Sequence, residues 1–154
     1  MPQSIKLTTD QMRLISLFQN VTKATARDCL EDEIQNKIIF VVHEGNMGLA
    51  IGKNGSNIKA LSNILKRNIE LVEFFDDPSK FLKHVFNSKF INEIKLTEKV
   101  DGSSQAIVLV DASKKGLVVG REGRNAERAR LLAKRYFDIS SVLINNSEMT
   151  QFGV

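Results

Sequence analysis

Gly48-Leu-Ala-Ile-Gly-Lys-Asn-Gly55 returns 68 positions further on as Gly116-Leu-Val-Val-Gly-Arg-Glu-Gly123. Two copies of one glycine-punctuated, basic loop within 154 residues decide how the rest of the chain divides. The likeness runs past the glycines: Phe40-Val-Val aligns with Val108-Leu-Val, Lys53 with Arg121, Asn57 with Asn125, Ile64 with Leu132 and Lys66 with Lys134. A chance match of glycines would not carry its flanking hydrophobic register with it, so each copy reads as one supersecondary unit. A repeat this long in a chain this short predicts two very small domains.

Composition sets the outer limits. At 42% hydrophobic, with nine Phe, one Tyr and no Trp, the chain has enough large apolar surface for two small cores. Two Pro and nine Gly are too few for a disordered protein. Cys29 is alone, so neither an internal disulfide nor a cysteine metal framework is expected; it reads as a small buried residue in a reducing compartment. The start, Met1-Pro-Gln-Ser-Ile-Lys6, lacks the apolar run of a signal peptide, and no apolar stretch approaches ~18 residues. A cytoplasmic protein with no membrane partner is expected.

Periodicity places the elements. Thr8-Thr-Asp-Gln11 has the form of a capping box, and Met12, Ile15 and Phe18 follow at helical spacing, which predicts an amphipathic helix over 9–21. Ala24 to Glu33 is ambiguous: an edge strand alternating at Ala26, Asp28 and Leu30 would end in the acidic turn Glu31-Asp-Glu33. Lys37 to His43 is a buried strand. A helical turn at 46–51, the glycine loop, a helix over 56–67 with Ile58, Leu61 and Leu65 inward, and a strand over 69–75 complete the first copy.

Asp76-Asp-Pro-Ser79 starts the second, with Asp77 as N-cap and Pro78 at the first helical position of a Phe-rich helix over 78–90. Strands at 92–99 and 106–111 flank a turn at Asp101-Gly-Ser-Ser104, and then come the second loop, a helix over 124–137 and a strand over 139–144. Ala126, Ala129, Leu132 and Ala133 face the core, and residues 145–154 read as a frayed polar tail. Domains are therefore expected at 1–75 and 76–146, with no linker between them.

The net charge of +4 is unevenly spread. Residues 48–67 hold Lys53, Lys59, Lys66 and Arg67 with no acid. Residues 114–135 hold eight cations, among them Arg121, Arg124, Arg128 and Arg135, against Glu122 and Glu127. The two segments thus carry +10 and the rest of the chain −6. One-signed clusters on corresponding elements make a footprint for a polyanion, and Arg121, Arg124, Arg128 and Arg135 read as a phosphate-tracking stripe, with a solvated helix face as the alternative.

The loop itself explains why phosphate is the target. Two glycines bracketing two residues let a phosphodiester approach the main chain. The amides of the next helix start beside it with a partial positive charge, and Lys53 and Arg121 add a full one. Met47 and Ile51, and Leu117 and Val119, supply apolar floor for unpaired bases, so single-stranded nucleic acid is implied. Glu122 sits where phosphate should lie, which makes the second loop the weaker clamp. Other glycine motifs fail on the letters. A triphosphate P-loop needs Gly where Met47 stands and Ser or Thr where Asn54 stands, and the dinucleotide fingerprint needs glycines two apart. His43 and His84 have no partner at motif spacing, and no nucleophilic, metal or phosphoryl-transfer constellation is present. No enzyme activity and no cofactor are expected.

Ile51-Gly-Lys-Asn-Gly-Ser-Asn-Ile58 and Val119-Gly-Arg-Glu-Gly-Arg-Asn-Ala126 resemble the signature of the KH domain, whose Gly-x-x-Gly loop clamps about four nucleotides. The element order is similar to the type II form. His43-Glu-Gly-Asn-Met-Gly-Leu-Ala-Ile-Gly-Lys53 and Gly120-Arg-Glu-Gly-Arg-Asn-Ala-Glu-Arg-Ala-Arg130 further resemble the archaeal NusA-like transcription factors, two type II KH domains in tandem. The resemblance implies an α+β fold in which each domain runs helix, strand, strand, helix, Gly-x-x-Gly, helix, strand, with a three-stranded mixed sheet covered on one face by helices. It also implies single-stranded RNA as ligand and a role in transcription elongation or termination, with RNA polymerase or other transcription proteins as partners. The RNA-contacting set is then Met47, Gly48, Ile51, Gly52, Lys53, Asn54, Gly55, Ser56 and Lys59, with Gly116, Val119, Gly120, Arg121, Glu122, Gly123, Arg124 and Arg128. An RNA-binding factor in ribosome assembly or RNA processing is the nearest alternative. A protein-docking module with degenerate KH folds, using the acidic turn and the Phe-rich helix, is the alternative from another class.

Overall fold

The computed structural model describes residues 3–147, which fall into two compact units that divide between Phe75 and Asp76. Residues 6–75 form the first; residues from Asp76 onward, joined by the N-terminal stretch before Lys6, form the second. The Gln3 N–H donates to the Tyr136 carbonyl at 2.6 Å, which ties that stretch to the second unit rather than the first.

The first unit runs α1 (Thr9–Thr22), β1 (Ala26–Asp32), β2 (Lys37–Val42), α2 (Met47–Ile51), a 3-10 turn (Lys53–Gly55), α3 (Ser56–Leu65) and β3 (Asn68–Glu73). The capping box at its start is complete: Thr8 Oγ1 accepts from Gln11 N–H at 3.1 Å and Gln11 Oε1 accepts from Thr8 N–H at 2.9 Å. The sheet order is β1-β2-β3, with β1 antiparallel and β3 parallel to the central β2. Parallel neighbours need a crossover, and α2, the glycine loop and α3 are that crossover. Phe18 and Phe40, both buried, stack at 4.6 Å between centroids in a core completed by Ile15, Ile38, Val42, Ala50 and Leu61. Each of the larger side chains contributes roughly 1.5–3 kcal/mol through burial.

Two expectations need correction in this unit. Strict alternation in β1 fails because a bulge falls between Ala26 and Asp28, so Asp28 and Cys29 are both buried; Asp28 Oδ1 accepts from the Cys29 N–H at 2.8 Å. The helix after the loop stops at Leu65 rather than Arg67, because Lys66 turns left-handed (φ 57°) and returns its N–H to the Ser62 carbonyl. Ile64 in that last turn is exposed, whereas its aligned partner Leu132 is buried in a helix of fourteen residues against ten.

The second unit repeats the order: α4 (Pro78–Phe86), β4 (Ile91–Glu98), β5 (Ser104–Val110), a 3-10 turn (Ala112–Lys114), α5 (Lys115–Val119), a 3-10 turn (Arg121–Gly123), α6 (Arg124–Phe137) and β6 (Ile139–Asn146). Its sheet is β4-β5-β6, again antiparallel then parallel. Asp77 and Pro78 occupy the N-cap and first helical positions, without a side-chain cap bond. The helix ends at Phe86, short of Phe90, because Asn87 is left-handed (φ 47°) and its N–H closes on the Lys83 carbonyl. Phe81 meets Tyr136 edge-on and Phe137 at a tilt, each at 5.7 Å, and Ala126, Ala129, Leu132 and Ala133 are buried in the same unit. In the β4–β5 turn Asp101 Oδ1 accepts from Ser103 Oγ and N–H, which holds its carboxyl below the usual range.

β6 reaches Asn146, so Asn145 and Asn146 lie in the parallel ladder opposite Leu109 and Val110 rather than in a frayed tail. The remainder of that expected tail, residues 148–154, lies outside the described residues. Among the described residues no helix is long and apolar enough to cross a membrane.

Candidate nucleic-acid interface

The two glycine loops have the same backbone, angle for angle. Gly52 lies at φ 76°, ψ 170° and Gly120 at φ 85°, ψ 169°. Asn54 (φ 55°, ψ 29°) and Glu122 (φ 57°, ψ 24°) are both left-handed, and so are Gly55 and Gly123, each at φ 74°. Each preceding helix closes through its loop glycine, Gly52 N–H to Gly48 carbonyl and Gly120 N–H to Gly116 carbonyl, both at 3.0 Å. The loops close internally at 3.1 Å, from Gly55 to Gly52 and from Gly123 to Gly120.

The paired glycines have different tasks. A Cβ on Gly52 would stand 2.8 Å from Asn57 Cγ and 2.9 Å from the Asn57 backbone nitrogen; on Gly120 it would stand 2.7 Å and 3.0 Å from the same atoms of Asn125. The space is filled because Asn57 Nδ2 donates to the Leu49 carbonyl at 2.8 Å, linking α2 to the start of α3. Asn125 fills the same space under Gly120. A Cβ on Gly55 or Gly123 would meet nothing within 4 Å, so the second glycine of each pair faces open space. Behind it, α3 and α6 begin without a side-chain cap, and their first turns present positive dipole ends beside the opening.

Around the first loop Lys53, Asn54, Ser56 and Lys59 are exposed, with Gly48 and Ile51 exposed and Met47 half-buried on α2. Leu49 is 54% exposed at the register position of Leu117, which is 62% exposed. Leu49 was not among the expected contacts, although its alignment with Leu117 places it at the corresponding position. Arg67 does not add to this field as a bare charge, because it is ion-paired with Glu31. Glu31 and Asp32 are not in a turn as expected but are the last residues of β1, paired with Ile38 and Lys37; Asp32 then accepts from Gln35 N–H at 3.0 Å in the turn that follows.

Around the second loop Gly116, Arg121 and Arg124 are exposed and Val119 is half-buried. Arg124 lies 3.2 Å from Glu122, so the acid in the loop is partly balanced by the next cation. The other two arginines of the expected stripe are less exposed. Arg128 is half-buried and donates to the Val85 carbonyl at 2.9 Å, which joins α6 to α4, and Arg135 is also half-buried. Arg121 and Arg124 flank the loop with exposed side chains, whereas Arg128 is also tied to α4. Cys29 is buried, and its Sγ lies 3.6 Å from the Gln11 carbonyl.

Comparison with known proteins matches this geometry. The KH domain family model matches residues 13–74, the helix, strands and glycine loop of the first unit. A "Probable transcription termination protein NusA" of Halobacterium salinarum is 34% identical over 139 residues, covering 90% of this chain and 97% of that one. The chain belongs to the archaeal NusA-like family. A NusA relative of the same printed name from Methanocaldococcus jannaschii is 28% identical, with 91% of this chain and 75% of that one covered. The crystal structure of APE1850 superposes with a TM-score of 0.82 at 37% identity, over 90% of this chain and all of that one. As in the NusA-like resemblance, the fold is α+β with two tandem type II KH domains, each built on a three-stranded mixed sheet.

Proposed function

We propose that this NusA-like chain is a non-catalytic protein that binds single-stranded RNA through both glycine loops and acts in transcription elongation or termination, in contact with RNA polymerase in the cytoplasm. In this reading the two units, residues 6–75 and the unit that begins at Asp76, are the two RNA-binding domains. The observation that carries it is the open face of Gly55 and Gly123, set between exposed cations and an uncapped helix start, twice over in the same backbone. Each loop leaves its second glycine bare, which lets a phosphate reach the main chain while bases rest on Leu49 and Ile51 or on Leu117. The transcription role rests on the names of the relatives.

Sequencing RNA crosslinked to the protein in cells, with capture of bound proteins, tests the role. Nascent transcripts and RNA polymerase subunits are expected; ribosomal precursor RNA without polymerase would move the chain to ribosome assembly instead. In vitro, affinity for a single strand should fall with salt at a log-log slope of about −0.7 per phosphate neutralised. A flat dependence would favour a protein-docking role.

Glu122→Asn tests the weaker loop. The position is left-handed, where Asn is better tolerated than Glu, and Asn54 already occupies it in the first copy. Removing one repulsion of about 1 kcal/mol should tighten RNA binding about fivefold in fluorescence anisotropy. Weaker binding would mean that Glu122 contacts RNA favourably.

A further inference from the structure

Beside the second loop lies a groove of about 700 Å³, walled by the end of α4 and the connector that follows it on one side and by α5 and α6 on the other. Lys83, His84, Lys89 and Phe90 line the first wall and Leu117 and Asn125 the second; none of the groove's lining residues is an acid. Asn125 is the residue packed under Gly120, so the groove is continuous with the loop. At its rim the Phe90 ring holds two ammonium groups, Lys114 Nζ at 5.0 Å and Lys89 Nζ at 5.5 Å from its centroid. The corresponding connector of the first unit, between α1 and β1, is Lys23-Ala24-Thr25, too short to carry such a wall. Ala24 is buried there, and the Thr25 N–H is fastened to Asn46 Oδ1 at 2.9 Å.

We propose that this groove is an additional RNA-phosphate site: Lys89 and Lys114, held by Phe90, take a phosphate of the strand on its way from the second glycine loop, with Lys83 behind them. The site rests on the RNA-binding reading above. It stands in the unit whose loop carries an acid, so the groove supplies cations next to the place where Glu122 removes one. Phe90 makes it a built site, because the ring gives two long side chains a common resting point and lowers the entropy lost when they close on an anion.

The test is anisotropy titration of a mixed-sequence single-stranded oligoribonucleotide with the full chain, across a range of salt, after thermal melts confirm folding. Lys89→Glu/Lys114→Glu should weaken binding about tenfold and make the salt slope shallower by about 0.7 for each phosphate no longer neutralised. Lys6→Glu/Lys95→Glu changes net charge equally at exposed positions that do not line the groove and should cost far less. Phe90→Leu keeps every charge and an apolar side chain but removes the ring face, and should weaken binding about threefold. If the groove pair weakens binding no more than the control pair, or if Phe90→Leu binds as the native chain does, the site is overturned. Failure of the broader reading is distinguishable: native affinity in Lys53→Asp/Asn54→Asp would remove the glycine-loop clamp itself.

Discussion

The double variant Lys53→Asp/Asn54→Asp is expected to bind single-stranded RNA about a hundredfold more weakly than the native chain while melting at nearly the same temperature. Fold is preserved because Asn54 is exposed at φ 55°, ψ 29°, a conformation that Asp tolerates nearly as well as Asn, and Lys53 is exposed beside it. Binding is lost because one cation becomes an anion, and a second anion is added in the loop that faces phosphate. Two charge-assisted interactions at about 1.5 kcal/mol each amount to that hundredfold change. Anisotropy and a thermal melt on one preparation read both halves. Equal loss of stability and affinity would show that the loop is structural only.

The second large effect separates the two glycines of one loop. Gly52→Ala places a Cβ 2.8–2.9 Å from Asn57 at a φ, ψ combination essentially restricted to glycine. Its Cβ meets the Asn57 backbone nitrogen as well as the side chain, so a rotamer change cannot relieve it. About 3 kcal/mol of destabilisation is expected, enough in a unit of this size to lower a melting midpoint by roughly 10–20 °C. Gly55→Ala enters open space in the left-handed region and should cost about 1 kcal/mol, a shift of a few degrees. In affinity the difference narrows, since the added methyl at residue 55 stands where the phosphodiester approaches. Thermal melts of the two variants side by side check the ranking; similar midpoints would contradict it.

These two variants also show where sequence reading stops. The repeat, its register and the helix–loop–helix frame were legible because hydrophobic periodicity and paired glycines are local signals, and the capping box at Thr8 is complete in the structure as its letters suggest. Gly52 and Gly55 are the same letter, however, and only backbone angles and the position of Asn57 separate a glycine needed for packing from one left bare. The helical spacing of Arg128 from Arg124 is a local signal that carries no trace of its tie to α4. The Val85 carbonyl to which Arg128 donates lies 43 residues away in sequence, beyond any local pattern. The end of α4 at Asn87 and the bulge before Asp28 were hidden for a related reason. A single left-handed residue or one inserted strand residue changes register without changing composition. Leu49 is a different kind of omission, since its alignment with Leu117 was already visible.

RNA lying against both glycine loops should be visible residue by residue when unlabelled single-stranded RNA is titrated into isotope-labelled protein and the backbone amide resonances are followed. The largest shifts are expected at Lys53–Asn57 and Arg121–Asn125, whose amides line the two openings. Shifts elsewhere in the chain that leave both loops unmoved would contradict that placement of the RNA.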